Sequence, residues 1–234
     1  MRLTYWRRLL SIFKCILSLS RIFGTPTNVQ FRPPLQPYWK QIFIILFTRL
    51  NSSKTETFGQ RFSRFVYFLV YREKEGAGPD FTIKSMDEVQ SGIFVQVFTS
   101  VILLDTLKLQ KPLDRKLAII GLTKLLLTSS LITTPPYQAV SPTAAKTLHK
   151  LIATPEVVPQ GPSATDDLSH EADLDEMGFG VAFSTLNTTK KAVQDPAPGV
   201  PMAGLRDWVV ANFKESSDRV QQWLPVEARG LLGQ

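Results

Sequence analysis

The sequence predicts an all-α protein arranged as a solenoid of helical pairs, and three observations carry that expectation. Apolar residues recur at three- and four-residue spacing through most of residues 37–153. Prolines and short polar turns punctuate that pattern at intervals suited to helix ends. No stretch alternates polar and apolar residues as a half-buried strand does. The first helix of one pair begins near Pro37 and that of the next near Ile83. That offset of about 46 residues falls inside the ~40–47 of HEAT-type repeats. One pair cannot bury both of its apolar sides alone, so neighbours on either side are implied.

Residues 1–24 form a basic, amphipathic opening. Leu9, Leu10, Ile12, Phe13, Ile16, Leu17 and Leu19 follow a basic start, a combination that resembles a targeting sequence. Lys14 and Arg21 interrupt the run, it falls short of the ~20 apolar residues of a membrane span, and no A-x-A cleavage site follows. A helix packing its apolar face on a neighbour fits better. A membrane-associated helical protein anchored by residues 3–23 stands as the alternative reading.

Residues 25–153 hold the repeats. Tyr38 to Leu50 is apolar nearly all round, as in a helix buried between others, with Pro37 at its start. Asn51, Ser52 and Ser53 supply turn and N-cap chemistry, and Phe58, Phe62, Phe65, Val66 and Leu69 mark a second helix. Gly76 to Pro79 breaks the chain. A third helix follows in Met86, Val89, Ile93, Phe94, Val97, Phe98 and Val101, reaching about Leu104. Pro112 opens a fourth, whose Leu113, Leu117, Ile120, Leu122, Leu125 and Leu126 make a stripe broad enough for two neighbours. Ser141 and Pro142 begin a fifth by N-cap and first-turn logic, with Ala144, Ala145, Leu148, Leu151 and Ile152 inward. Residues 154–204 read as a long, acidic, proline-rich loop containing the apolar block Phe179 to Leu186. Residues 205–234, with Leu205, Trp208, Val209, Phe213, Val220, Trp223 and Leu224, read as a terminal helical cap.

The chemistry-bearing residues point to binding and away from catalysis. The sole cysteine, Cys15, excludes an internal disulfide framework, and the two histidines, His149 and His170, belong to no nucleophile–base motif. No phosphate-cradling glycine loop occurs. The acidic run Asp166 to Glu176 lacks the alternating ligand spacing of a calcium loop. No enzyme activity, cofactor or metal is therefore expected. Charge is unevenly placed within the net +7, because residues 1–64 hold eleven cations against Glu56 alone. Phe58, Phe62 and Phe65 share the inward face and cannot stack on bases, so the interleaved cations suit acidic protein better than nucleic acid. The candidate partner-binding residues are Lys40, Arg49, Lys54, Arg61, Arg64, Arg115, Lys116 and Lys124.

Four blocks in order also resemble one family. Tyr38 to Phe58 (YWKQIFIILFTRLNSSKTETF) is similar to a C-terminal HEAT repeat of the importin-α re-exporters, the CAS-type exportins of the importin-β superfamily. Ser91 to Phe94 resembles the start of that family's next helix, Asp114 to Leu127 its partner, and Ala182 to Leu186 a block beyond the acidic loop. Residues 1–24 fall outside the resemblance. It implies a segment of a nuclear export receptor shuttling between nucleus and cytoplasm, in a shortened form of a longer protein. Its implied partners are Ran-GTP and importin-α, held together in a curved solenoid and released when Ran hydrolyses GTP, with no direct nucleic acid or membrane contact.

Overall fold

The computed structural model describes residues 38–52, 54–73, 76–154, 195–216, 220 and 223–228. The opening segment 1–24 with Cys15, the acidic run with His170, and the Phe179 to Leu186 block lie outside the described residues. Pro26–Pro155 and Pro196–Gln234 form one compact unit, to which all the elements below belong. Among the described residues every regular element is helical.

Helix α1 (Trp39–Ser52) buries Trp39, Phe43 and Leu46, one turn apart on a single face. Ile42, Ile45, Phe47 and Leu50 remain half-buried, so only one side of this all-round apolar helix is fully covered. Helix α2 (Glu56–Tyr71) starts where Thr55 accepts a hydrogen bond from the Phe58 N–H at 3.2 Å. The cap is thus Thr55, and Asn51 and Ser52 end α1 instead of opening α2. Aromatic rings interlock between the two helices. Trp39 stacks on Phe65 at 6.4 Å, and Phe47 meets Phe62 edge-on at 6.2 Å. Such pairs add about 0.5–1.5 kcal/mol each beyond the area they bury. From Phe65 to Val70 every residue of α2 is buried, because this end lies in the middle of the unit.

Gly76 (φ 87°) and Gly78 (φ 107°) turn the chain in conformations open to glycine, and the Gly78 N–H closes on the Leu69 carbonyl at 2.9 Å. The single third helix expected over 86–104 is two elements. Helix α3 (Pro79–Asp87) begins at the proline itself, and Gly92 (φ 78°) breaks the path. Asp87 then accepts from the Phe94 N–H at 2.9 Å and so starts the next rod. That rod runs through α4 (Ile93–Val97), a π-helical stretch Phe98–Ile102 and α5 (Leu103–Thr106). Its inner line is Phe94, Phe98, Ile102 and Thr106, all buried. In a regular α-helix a four-residue spacing drifts about 40° per step. The wider π turn cancels part of that drift and keeps the line facing α2. Thr99 and Ser100 donate their hydroxyls to the Val95 and Gln96 carbonyls at 2.8 and 2.7 Å, supporting backbone acceptors beside the altered ladder.

Helix α6 (Pro112–Thr128) is buried from Lys116 to Leu127 except at Lys124, since α2 packs on one side and α7 (Ser141–Ala153) on another. Gly121 sits against Tyr67 of α2, where a Cβ would come within 2.7 Å of the ring. The Tyr67 hydroxyl lies 2.7 Å from Thr106 Oγ1. Thr106 already spends its proton on the Ile102 carbonyl at 2.6 Å, so Tyr67 is the donor. Burial pushes the Tyr67 phenol well up, against the lowering effect of this bond, and keeps it neutral.

Two aspartates staple the connections. Asp80 accepts from Ser129 Oγ and Ser130 Oγ at 2.6 Å each, and from the Ser130 and Leu131 N–H groups, gathering the chain just past α6. Burial raises its pKa, but these hydrogen bonds outweigh that effect and hold the carboxyl below its usual range. Asp87 accepts from Tyr137 Oη at 2.6 Å; this bond first, then burial, pushes the Tyr137 phenol up to about 12. Two 3-10 turns, Leu131–Thr133 and Tyr137–Val140, lead into α7. Ser141 is the first residue of α7 and not its cap, because its hydroxyl bonds the Ile132 carbonyl at 3.3 Å. Ala144, Ala145, Leu148 and Leu151 face inward as the sequence reading has them. Helix α8 (Leu205–Glu215) lays Leu205, Val209 and Phe213 inward and packs on α6. Val220, Trp223 and Ala228 are also buried.

Candidate partner-binding surface

Of the eight cations that the sequence singles out, Lys40 stands exposed on α1, while Arg49 on α1 and Arg61 on α2 are half-buried and have interactions of their own. Lys54, Arg64, Arg115 and Lys124 are drawn into the fold as ties between elements, and Lys116 is buried on α6. Lys54, in the α1–α2 turn, places Nζ 3.0 Å from Asp105 Oδ2 on α5. Arg64 Nε lies 3.1 Å from Asp114 Oδ1, joining α2 to α6. Arg115 donates from Nη2 to the Leu151 and Thr154 carbonyls at 2.9 and 3.0 Å, closing the C-terminal end of α7. Lys116 is 1% exposed. Lys124 donates to the Tyr71 carbonyl at 3.2 Å, stands 5.2 Å over the Tyr71 ring and lies 3.7 Å from Glu73 Oε2. These contacts link the α1–α2 turn to α5, α2 to α6 and α6 to α7, while Lys40 stands exposed outside them.

Asp105 is the strongest electrostatic feature. It is 1% exposed, and Lys108 Nζ approaches its other oxygen at 3.4 Å. Lys54 is close to Oδ2 yet misaligned for a hydrogen bond, so that oxygen is compensated by Coulomb attraction alone. A carboxylate can reach this depth because Gly59 has no side chain; a Cβ there would collide with Asp105 Oδ2. Sequence reasoning missed Asp105, Asp80 and Asp87. For Asp105 a signal exists: it is the only ionisable residue between Val89 and Leu107, and it sits in phase with the inward line of its helix.

Among the described residues no group of three or more His, Cys, Asp or Glu side chains could hold a metal ion, and no helix is long and apolar enough to cross a membrane. Large apolar side chains reach solvent at Tyr38, Leu104, Leu107 and Val226.

Comparison with known proteins follows the same span. Residues 28–227 match a family described as CAS/CSE protein, C-terminus. The importin-alpha re-exporter of Schizosaccharomyces pombe is 37% identical over 168 residues, covering 71% of this chain and 17% of that protein. The importin alpha re-exporter of Saccharomyces cerevisiae is 31% identical over 171 residues, 71% of this chain and 16% of that protein. Exportin-2 of Oreochromis niloticus is 31% identical over 172 residues, 72% and 17%. The chain thus spans about a sixth of the length of these relatives. Among solved structures, the exportin Cse1 in its cargo-free, cytoplasmic state superposes with a TM-score of 0.59 at 22% identity, over 85% of this chain and 20% of that one. That likeness is one of fold, a solenoid of helical pairs.

Proposed function

The chain belongs to the CAS/CSE family, and from that premise we propose that it serves as the C-terminal arch of a nuclear export receptor returning importin-α to the cytoplasm. The observation that carries the reading is the family match across residues 28–227, which takes in every described helix. The proposed partners are importin-α and Ran-GTP, bound together in the nucleus and released in the cytoplasm. The mechanism involves no covalent chemistry on this chain. Each ligand raises the affinity for the other by favouring one curvature of a shared solenoid.

The four cations tied into contacts between elements, Lys54, Arg64, Arg115 and Lys124, would act with the buried Lys116 by fixing the arch's shape, and Lys40, Arg49 and Arg61 are the candidates for direct contact with acidic partner surface. Alone, the chain should bind either partner weakly or not at all. A solenoid wraps its ligand with successive repeats, and the ordering cost of association, on the order of 4–15 kcal/mol, is incurred however few repeats remain. The test is a receptor of full length carrying this segment, assayed for importin-α capture with and without Ran-GTP. Arg61→Glu should weaken assembly more at low salt than at high salt, because screening removes the difference. Arg64→Glu would in addition break the contact with Asp114. A full-length receptor that captures importin-α equally well with this segment deleted would sink the proposal.

A further inference from the structure

We infer that Thr134 is a phosphorylation site for a proline-directed protein kinase, and that a phosphate there loosens the connection between α6 and α7 from α3. The inference goes beyond the transport role and does not depend on it. Kinases of this class take a Ser or Thr hydroxyl followed by proline in an extended, accessible segment, where proline brings no N–H to leave unpaired in the kinase groove. Thr134 and Pro135 meet each requirement. Thr134, Pro135 and Pro136 are exposed in succession. Thr134 has φ −104° and ψ 146°, extended as suits the residue before a proline. Its hydroxyl donates to the Leu131 carbonyl at 2.7 Å, a bond that is itself exposed. Ser141 also precedes a proline, but it is buried within α7 and its hydroxyl bonds the Ile132 carbonyl.

The surroundings give the phosphate its effect. The two ends of α3 hold the connection. Asp80, in the first turn of α3, accepts from Ser129, Ser130 and Leu131, and Asp87, its last residue, accepts from Tyr137. Thr134 stands in the chain between these two anchorages. Its hydroxyl is bonded to Leu131, whose N–H is bonded to Asp80, so the Thr134 oxygen lies within about 10 Å of that carboxylate. In the transfer, Thr134 Oγ1 attacks the γ-phosphorus of ATP and the bond from that phosphorus to the β–γ bridging oxygen breaks. ADP leaves with the electron pair, and the hydroxyl proton passes to solvent through a base of the kinase. The ester oxygen then has no proton for the Leu131 carbonyl, and a charge of about −1.5 to −2 faces the Asp80 carboxylate. A separation close to the Debye length of ~8 Å at physiological salt makes this repulsion modest and sensitive to ionic strength. Thr154 precedes a proline as well, but the Arg115 guanidinium holds its carbonyl at 3.0 Å, so a phosphate there would meet a cation.

The test treats the full folded chain with a purified proline-directed kinase, Mg2+ and ATP, and maps phosphate by mass spectrometry of its proteolytic peptides. Phosphate is expected on Thr134 and absent from Ser141. Thr134→Ala, treated identically, carries any phosphate taken up elsewhere, so the difference between the two chains reads Thr134. At low salt the treated parent should melt about 2–4 °C below the untreated parent. Treated Thr134→Ala should show no such fall. The depression should shrink in about 1 M salt, a dependence that loss of a hydroxyl alone would not produce. It should also shrink in Asp80→Asn, where the carboxylate facing the phosphate is gone. A folded chain that takes no phosphate on Thr134 overturns the site. Phosphate on Thr134 with an unchanged midpoint, or with a depression indifferent to salt and to Asp80→Asn, overturns the loosening and with it the inference.

Discussion

Replacing Lys54 by methionine keeps the length of the side chain and removes only its charge. In the native fold Lys54 Nζ lies 3.0 Å from an Asp105 oxygen, with the two side chains 36% and 1% exposed. Removing one partner of a fully buried pair costs about 3–5 kcal/mol, and of a surface pair about 0–1 kcal/mol. This pair stands between those limits. Solvent reaches Lys54 and screens it, and Lys108 at 3.4 Å still neutralises part of the remaining carboxylate. A loss of about 1–3 kcal/mol follows for Lys54→Met, the range for a buried group left without its partner. Asp105→Asn should cost less, because the freed ammonium can turn to water whereas a stranded carboxylate cannot. The double variant should therefore be no worse than Lys54→Met alone, a non-additivity that identifies direct coupling. Urea unfolding followed by far-ultraviolet circular dichroism measures all four corners of the cycle. Strictly additive effects, or a Lys54→Met midpoint indistinguishable from the parent, would refute the assignment of this contact as a strong tie.

Gly121→Ala should destabilise by about 1–3 kcal/mol in the same assay, since its Cβ would come within 2.7 Å of the Tyr67 ring in a packed crossing. Tyr67→Phe should cost about 0.5–1.5 kcal/mol for one buried hydrogen bond, with the Thr106 hydroxyl still engaged by Ile102. Asp80 links stability to acid. Its folded pKa is depressed, so its contribution is complete above the unfolded carboxyl pKa of ~3.9 and is lost as pH falls below that value and through the folded one. Asp80→Asn should be less stable than the parent at neutral pH and should lose less on acidification from pH 5 to 2, measured as thermal midpoints. Joining the chain to preceding repeats of a full-length relative should sharpen its thermal transition, because the half-buried face of α1 would gain a neighbour.

Helix existence was legible where a stripe was long and opened by proline. Leu117, Ile120, Leu122, Leu125 and Leu126 in α6, and Ala144, Ala145, Leu148 and Leu151 in α7, are buried as their spacing implies. The family was also legible, because the wording of four blocks carries more information than periodicity does. Boundaries were harder. Thr55 caps α2 while Ser52 ends α1, and Ser141 bonds a distant carbonyl, since several hydroxyls within reach of one helix start are alike in sequence. One break was missed because Met86 to Leu104 keeps a helical rhythm across Gly92, and only the left-handed glycine and the Asp87 cap divide it. The cations of the candidate surface were the least legible. Whether Lys54 or Arg64 faces solvent or an aspartate depends on which helices lie side by side, and one-dimensional charge patterning does not contain that.

The π-helical stretch Phe98–Ile102 sets how this rod tolerates insertion and deletion. A π turn accommodates one residue more than the α turn it replaces. Removing a single residue from the exposed pair Thr99–Ser100 would let the rod relax into a plain α-helix with Phe94 still inward at one end and Thr106 at the other. The same deletion in α6 would turn every following side chain by about 100° and carry Leu125 and Leu126 off their neighbours. Related chains can therefore differ by one residue within this helix without disturbing what lies beyond it, and residue numbering across that point measures length without measuring register.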